Sequence, residues 1–147
     1  LVDLRERLGL KIGGPFPENV SVGATASASS TWTPQSGYEP PKAVDEDPNS
    51  RWASETNVCE LTQTFAAPRR VNRVLLREYL EVGKGRIGKF IIEAQVNGQW
   101  EALVDGTDVG VSKRYDFSAV MTTALRLRVL EASGPPSLYS FLAFEVE

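Results

Sequence analysis

The feature that most constrains the fold is the series of short β-type segments that fills the chain from Val20 onward. These segments are rich in β-branched and aromatic residues or alternate apolar with polar positions, and they include VCELTQTF, VNRVLLREYL, FIIEAQV and ALRLRVLE. Clusters of Pro, Gly, Asn and Asp separate them, and no helical pattern of useful length follows residue 13. The sequence therefore predicts an all-β fold, an antiparallel β-sandwich of jelly-roll type.

The segment ALRLRVL shows the clearest strand alternation. Leu125, Leu127 and Val129 fall on one face of an extended chain, and Arg126 and Arg128 fall on the other. This pattern is typical of a half-buried strand with an apolar inner face and a charged outer face.

A hairpin is predicted at Asn97-Gly98, because the type I′ turn needs positive φ at both central residues. Trp100 then begins the returning strand, and we expect its ring to lie in the core. The residues expected to face the core on the strands before this turn are Val74, Leu76, Phe90, Ile92 and Ala94.

The beginning of the chain carries a different pattern. Leu1, Leu4 and Leu8 recur at helical spacing, and charged residues fill the other face. Glycine and proline residues follow directly and would end such a helix. We therefore expect residues 1–18 to be a helix and linker from a missing upstream domain, and residues 19–147 to form the β-sandwich.

Composition excludes several classes of function. The chain of 147 residues has no histidine, which removes the commonest general base and metal ligand, and its single cysteine, Cys59, allows neither an internal disulfide nor a multi-thiolate zinc site. Cys59 lies in a strand-like segment and is expected to be a buried, inert thiol. With a net charge of −3 and no basic stripe, no nucleic-acid partner is predicted, and no apolar run is long enough for a membrane span.

Several segments together resemble a known family. They are SASSTW, KAVDEDPNSRWAS, VNRVLLREYLEVGKGRIGKF and ALRLRVLEASGPPSLYSFLAFEVE. They resemble the discoidin-type domain, the coagulation factor 5/8 type C fold, which includes the family 32 carbohydrate-binding modules. The order REYLEVGKGRIGKF, NGQW and GTDVG resembles, more specifically, the C-terminal domain of family 29 α-L-fucosidases.

The resemblance implies an accessory domain of an α-L-fucosidase-like glycoside hydrolase, secreted or periplasmic in a bacterium. Its catalytic carboxylates would belong to an upstream barrel. Retaining hydrolysis needs two carboxylates about 5–5.5 Å apart across a sugar pocket. The aspartates that are close in sequence here, Asp45 with Asp47 and Asp105 with Asp108, lie in turn-like segments. The chain itself is therefore predicted to be non-catalytic.

Glycan binding is the main function that the resemblance implies, with the ligand loops clustered at one end of the sandwich. Four side chains fall in those loops: Trp32, Tyr38, Arg86 and Tyr139. Alternatively, each aromatic ring packs under its own loop, and Arg86 pairs with Glu78 or Glu81. Because the chain lacks histidine, a galactose site of the usual family 32 kind is not expected.

The resemblance also implies a structural calcium ion in the loop KAVDEDPNS. By position, Asp45 would bind it through its carboxylate, Asp47 through its carbonyl, and Ser50 through its hydroxyl and carbonyl. The family usually completes this site with a glutamate near the C-terminus, where Ala143 stands here, with Glu145 two residues further on. The alternative is a capped turn without metal.

A second hypothesis is that the domain docks on the catalytic barrel and binds no sugar itself. The leucine stripe at positions 1, 4 and 8 supports it, because a lone domain would leave that surface exposed. A sugar-binding module predicts an exposed aromatic ring at the loop end, whereas a docking domain predicts buried rings and an apolar surface beside the N-terminus. A remoter alternative is a protein- or lipid-binding discoidin domain, for which Leu138 and Tyr139 would be the apolar spikes.

Overall fold

The computed structural model describes residues 17–81 and 83–146, and strands make up most of them. The predicted N-terminal helix lies outside the described residues; within them, the only helix is a short 3-10 turn, and no helix is long and apolar enough to cross a membrane. The elements are β1 (Glu18–Asn19), β2 (Thr25–Ala28), the 3-10 turn η1 (Pro40–Ala43), β3 (Trp52–Ala53), β4 (Cys59–Glu78), β5 (Ile87–Val96), β6 (Gln99–Gly106), β7 (Lys113–Ala132) and β8 (Ser137–Glu145).

Two long strands, β4 and β7, each contribute to both layers of the sandwich. The first half of β4 pairs with β2 and with the second half of β7, which also pairs with β5, and β5 in turn pairs with β6. The second half of β4 pairs with β8 and with the first half of β7, and β8 also pairs with β1 and β3. All these pairings are antiparallel, so the predicted antiparallel β-sandwich is confirmed.

The passage of β4 between the layers occurs at an irregular segment. Its register with β7 shifts between Thr64 and Arg69 and again between Val71 and Arg73. The segment includes Pro68, which has no N–H to donate to a neighbouring strand. Shifts of this kind bend a strand and increase its twist. Two strands that the sequence predicts separately, VCELTQTF and VNRVLLREYL, are therefore one bent strand.

The core lies between the layers and is lined by the predicted faces. The five residues expected to face it before the hairpin turn are fully buried, as are Leu125 and Leu127, with Val129 beside them. Burying one such side chain contributes about 1.5–3 kcal/mol, so this interior is the main stabilising feature of the fold. Cys59 is buried in the same cluster, as predicted.

The β5–β6 hairpin turn has the predicted geometry, with φ of 51° at Asn97 and 80° at Gly98. The expectation that Trp100 lies in the core is wrong. Trp100 pairs with Gln95, and residues directly opposite each other share a face of the sheet. Because Ala94 faces the core, Gln95 and Trp100 face outward. Trp100 is half-buried there beneath the Arg126 guanidinium, whose Cζ lies 4.3 Å from the ring centroid.

Candidate functional site

A cleft of about 660 Å³ opens at one end of the sandwich, within the size range of ligand pockets in proteins. Its walls come from the loops around residues 30–38, 54–56, 79–86 and 133–136 and from the adjoining ends of β3 and β8. The cleft is lined by aromatic rings, by two arginines and two glutamates, and by serine and threonine residues. Such a mixture suits a ligand that has both apolar faces and hydrogen-bonding groups.

The aromatic wall is held by backbone hydrogen bonds to β3. Trp32 N donates to the Ala53 carbonyl at 2.8 Å, and Ala53 N donates to the Tyr38 carbonyl at 3.2 Å. The indole N–H of the buried Trp52 donates to the Ser30 carbonyl at 3.1 Å. Trp32 and Tyr38 are therefore fixed in place before any ligand arrives.

The two aromatic rings belong to a longer strip of contacting side chains that contains four aromatic rings and two arginines. Trp32 and Tyr38 meet edge to face, with ring centroids 5.4 Å apart. The Arg51 guanidinium lies against Tyr38 and Tyr79, with Cζ 4.7 Å and 3.7 Å from the respective centroids. Tyr79 is the last ring of the strip that lines the cleft, and the strip continues from it outside the cleft.

The second half of the strip leaves the cleft. Tyr79 meets Tyr139 edge to face at 5.9 Å, and the Arg77 Cζ lies 5.3 Å from the Tyr139 centroid. These three residues, with Glu78, Leu80 and Val111, line a second hollow of about 240 Å³ that shares Tyr79 with the cleft. We call the whole series the aromatic–arginine strip: Trp32, Tyr38, Arg51, Tyr79, Tyr139 and Arg77.

The loop that carries Arg86 is anchored by a buried carboxylate. Glu78 is 2% exposed and accepts hydrogen bonds from the backbone N–H groups of Arg86 at 2.6 Å, Ile87 at 3.0 Å and Gly110 at 3.3 Å. A side chain at Gly85 would collide with this carboxylate. Glu78 therefore positions the 79–86 loop from below.

Arg86 forms an ion pair and also lines the cleft. Its guanidinium forms an ion pair with Glu81, and Nη1 donates to the Pro135 carbonyl at 2.8 Å. Glu78 receives the backbone N–H of Arg86 rather than its guanidinium. The pairing with Glu81 is present, and contact of Arg86 with a ligand stays a prediction.

Three of the four predicted ligand residues, Trp32, Tyr38 and Arg86, line the same cleft. The fourth, Tyr139, lies in β8 and lines the neighbouring hollow instead. Trp32 and Tyr38 are half-buried: their rings pack against each other, and both line the cleft. Contact of these residues with a sugar stays a prediction.

Arg51 and Tyr79 are site residues that sequence reasoning missed. Arg51 immediately precedes the buried Trp52, and Tyr79 directly follows the last residue of β4, so both look like scaffold in the sequence. The alternation of β4 could have placed Tyr79 on the outer face with Arg77, beside the rim loop. No comparable local signal marks Arg51, whose position depends on contacts with β8.

The loop predicted to hold calcium brings oxygen atoms together. The Ser50 hydroxyl lies 2.6 and 2.8 Å from the two carboxylate oxygens of Asp45, 3.2 Å from the Lys42 carbonyl and 3.3 Å from the Asp47 carbonyl. Calcium prefers oxygen ligands of these kinds, carboxylate, carbonyl and hydroxyl. Without metal, the same contacts form a hydrogen-bonded turn.

The carboxylate that would complete this set does not come from β8. Ala143 is fully buried, and Glu145 forms an ion pair with Arg70 at 3.3 Å. Across the described ranges, no group of three Asp, Glu, Cys or His residues is arranged to hold a metal. The residues present fit a weak calcium site. They supply one carboxylate and fewer oxygen ligands than the six to eight that calcium takes.

Comparisons with known proteins agree with this architecture. The family model for the F5/8 type C domain matches residues 25–141. Alpha-L-fucosidase 1 of Arabidopsis thaliana is 32% identical over 138 residues, covering 90% of this chain and 27% of that protein. A rice relative (Oryza sativa subsp. japonica), also named for alpha-L-fucosidase, is 27% identical over 136 residues, covering 88% and 26%. The chain thus spans about a quarter of the length of these relatives.

Solved structures share the fold at lower identity. A crystal structure of SpGH29 superposes with a TM-score of 0.80 at 22% identity, covering 88% of this chain and 28% of that one. Chitosan-binding module 1 from the chitosanase/glucanase of Paenibacillus sp. IK-5 gives 0.77 at 21%, covering 87% and 99%. The family 32 carbohydrate-binding module of C. perfringens NanJ, in complex with galactose, gives 0.75 at 20%, covering 88% and 98%.

The family match covers most of the chain, and it includes β2 to β7, the 3-10 turn and every residue of the aromatic–arginine strip. The resemblance read from the sequence is therefore confirmed. The chain belongs to the F5/8 type C domain family.

Proposed function

We propose that this chain is a non-catalytic carbohydrate-binding domain and that its cleft binds a glycan. The observation that carries the proposal is the cleft itself, in which aromatic rings held in place by backbone hydrogen bonds lie beside charged and hydroxyl side chains. A sugar has the complementary character, because its C–H faces pack on aromatic rings while its hydroxyl groups exchange hydrogen bonds with polar side chains.

Each wall of the cleft has a role in this proposal. Trp32 supplies the ring on which a sugar face stacks, with Tyr38 supporting it from the side. Arg86 is held by Glu81 and the Pro135 carbonyl, and it donates hydrogen bonds to sugar hydroxyls. The exposed Glu55 carboxylate accepts hydrogen bonds from them.

The relatives suggest the setting in which this binding would act. Two structures of this fold are named for chitosan binding or contain galactose, and the curated relatives are named alpha-L-fucosidases. We propose that the domain serves a longer, secreted or periplasmic glycoside hydrolase of the α-L-fucosidase type by holding it on a glycan. The catalytic residues would then lie in another domain of that protein.

A glycan screen of the purified domain tests the proposal. We expect binding that falls at least about tenfold, or about 1.4 kcal/mol, in Trp32→Ala and Arg86→Ala. Trp100→Ala is the matched control, because Trp100 is half-buried like Trp32 but lies outside the cleft. Absence of binding to any glycan at millimolar concentration would contradict the proposal, as would an equal loss in all three variants.

Docking on a catalytic domain is a second candidate, supported by a different surface. Pro17, Leu75 and Phe144 line a hollow of about 170 Å³, flanked by Arg73 and Arg114. Because the lining is apolar and adjoins the first described residue, it suits contact with a preceding domain. Leu75→Glu should leave glycan binding unchanged and should make the linker of the full-length protein more sensitive to protease. Unchanged protease sensitivity would contradict docking at this hollow.

A further inference from the structure

We infer, resting on the proposed function, that the glycan carries a negative group and extends along the aromatic–arginine strip into the second hollow. The negative group is a sugar carboxylate or sulfate, because both present a pair of oxygen atoms that can accept two parallel hydrogen bonds from a guanidinium. The inference rests on the two arginines of the strip and on what surrounds them.

Arg51 and Arg77 differ from the other arginines of the described residues. No carboxylate of residues 17–81 and 83–146 lies within ion-pair distance of either guanidinium. Every other described arginine pairs with an acidic side chain: Arg69, Arg70, Arg73, Arg86, Arg114, Arg126 and Arg128. The two arginines that have no carboxylate partner among the described residues both belong to the strip.

Arg51 is fixed without being neutralised. The rings of Tyr38 and Tyr79 bracket its guanidinium, and Nη1 donates to the Ser137 hydroxyl at 2.9 Å. The Ser137 hydroxyl donates in turn to the Trp52 carbonyl at 2.7 Å. A cation held by aromatic faces keeps its charge and loses little conformational freedom when it binds an anion.

Arg77 provides a second cation in the adjoining hollow, and it also lines a further hollow of about 250 Å³ beside Asp45, Glu46 and Asp47. Its guanidinium contacts the Tyr139 ring, and Nη1 donates to the Pro48 carbonyl at 3.3 Å. Arg77 lies near the end of β4 and Tyr79 directly follows this strand, and both residues line the second hollow. Arg51 contacts Tyr79 and Arg77 contacts Tyr139, and these two rings are 5.9 Å apart, so we expect a ligand that contacts both arginines to contain more than one sugar residue.

Acidic residues line both parts of the proposed site. In the second hollow, Glu78 is buried and its carboxylate accepts three backbone N–H groups. Glu81 is paired with Arg86, so that pair has little net charge. Glu55 is the remaining carboxylate that lines the cleft, and it is exposed. Its charge would repel an anionic glycan, whereas a glutamine at this position keeps an oxygen that accepts hydrogen bonds from sugar hydroxyls; removing the charge alone should therefore strengthen binding of such a ligand.

The test compares three tetrasaccharides of matched length by calorimetry: an oligogalacturonide, a heparin-derived fragment and N-acetylchitotetraose. They carry carboxylates, sulfates and no charge, respectively. We expect one charged probe to bind at least about tenfold more tightly than the neutral probe, with affinity falling as salt is added. Which charged probe binds identifies the carboxylate or the sulfate as the group recognised.

The variants locate the effect. Arg51→Gln and Arg77→Gln should each weaken the charged probe about tenfold and change the neutral probe by less than about threefold, while Glu55→Gln should strengthen the charged probe. Arg114→Gln is the control, because it changes the net charge equally at a residue paired with Asp116 outside both hollows. Arg51→Lys keeps the charge without the two-pronged geometry and should recover only part of the binding.

The outcomes separate this inference from the proposed function. Equal binding of charged and neutral probes, or a strong neutral ligand unaffected by Arg51→Gln, would overturn the inference and leave glycan binding intact. If the broader glycan screen also finds no ligand, the proposed function fails with it. A loss in Arg114→Gln equal to that in Arg51→Gln would show a net-charge effect and overturn the role of the strip.

Discussion

At the scale of single residues, the cleft depends on a side chain that does not face it. The Glu78 carboxylate gathers three backbone N–H groups from two segments, and two of those groups, at Arg86 and Ile87, fix the end of the rim loop. Gly85 has no side chain and so permits the approach. The position of Arg86 in the cleft is therefore set from beneath the loop.

Glu78→Gln tests this anchoring role. The amide keeps one oxygen acceptor but turns its NH₂ group toward backbone donors, which leaves buried groups unpaired. We expect the free energy of unfolding in urea to fall by about 1–3 kcal/mol. Glu81→Gln is the control, because Glu81 is an exposed ion-pair partner and should change stability by less than about 1 kcal/mol. Equal effects of the two substitutions would argue against a special role for Glu78.

Cys59 offers a pH-related prediction. Burial raises the pKa of its thiol to about 11, so almost none of it is thiolate near neutral pH. We expect a thiol reagent at pH 8 to leave the native protein unmodified while the protein in urea reacts at once. Because the folded pKa is the higher one, raising the pH toward 11 should cost stability. Rapid reaction of the native protein at pH 8 would contradict this account.

The residues of the cleft were predictable where a loop carried them. Trp32, Tyr38 and Arg86 lie in segments whose composition marks them as loops, and the resemblance supplied the expectation of ligands there. Arg51 and Tyr79 come from strand ends: alternation along β4 could have placed Tyr79 outward, but no local pattern marks Arg51 or its contact with Tyr79. Their meeting depends on β4, β3 and β8 converging, which is a property of the tertiary fold.

At the scale of elements, the strand faces were predictable and the strand ends were not. The alternation in ALRLRVL gave the correct inner face because one buried residue fixes its neighbours two positions away. The first half of β7, from Lys113, is less regular: Tyr115, Phe117 and Val120 pack against the core only partly buried, so its inner face is weakly marked in the sequence. Trp100 was misplaced although the two-residue turn already sets it opposite Gln95 on the outer face.

The loop from Asp45 to Ser50 is the element for which a metal prediction can be made. With one carboxylate and several neutral oxygens, we expect calcium to bind in the millimolar range, about 10⁻⁴–10⁻³ M. At ten times that dissociation constant the stabilisation is about 1.4 kcal/mol, which should raise Tm by about 3–6 °C. The Tm should fall back when a chelator is added.

Asp45→Asn provides the control for this effect, because it keeps an acceptor for the Ser50 hydroxyl and removes the charge. We expect this variant to show no calcium-dependent change of Tm. Asp116→Asn alters an exposed carboxylate elsewhere and should respond to calcium like the unmodified protein. If 10 mM calcium leaves the Tm of the unmodified protein unchanged, the loop is a turn held by hydrogen bonds alone.

At the scale of the whole molecule, the two long strands make the layers interdependent. β4 and β7 run through both layers, so each layer contains parts of strands that continue into the other layer. The pairings also join segments far apart in sequence, which favours slow folding, in milliseconds to seconds. The sandwich should therefore behave as one cooperative unit.

Urea unfolding tests this cooperativity with three intrinsic probes. Trp32 lies in the cleft, Trp52 in the core and Trp100 on the outer face of the opposite sheet. We expect variants that each retain one tryptophan to show a single transition that coincides with loss of the circular dichroism signal. Substitution will shift the midpoint of each variant, so the two signals are compared within one variant. Separated transitions in any variant would show that the layers unfold independently.

The pairing of β1 with β8 has a mechanical consequence. Glu18 stands opposite Glu145, and Asn19 opposite Phe144, so the two ends of the sandwich lie side by side in an antiparallel pair. A tension applied through both ends pulls the paired strands apart from the same end, and it loads their hydrogen bonds one after another rather than all at once. A sandwich anchored at one end and stretched at the other would begin to peel open at this edge, while the opposite end, which carries the cleft, would still be folded.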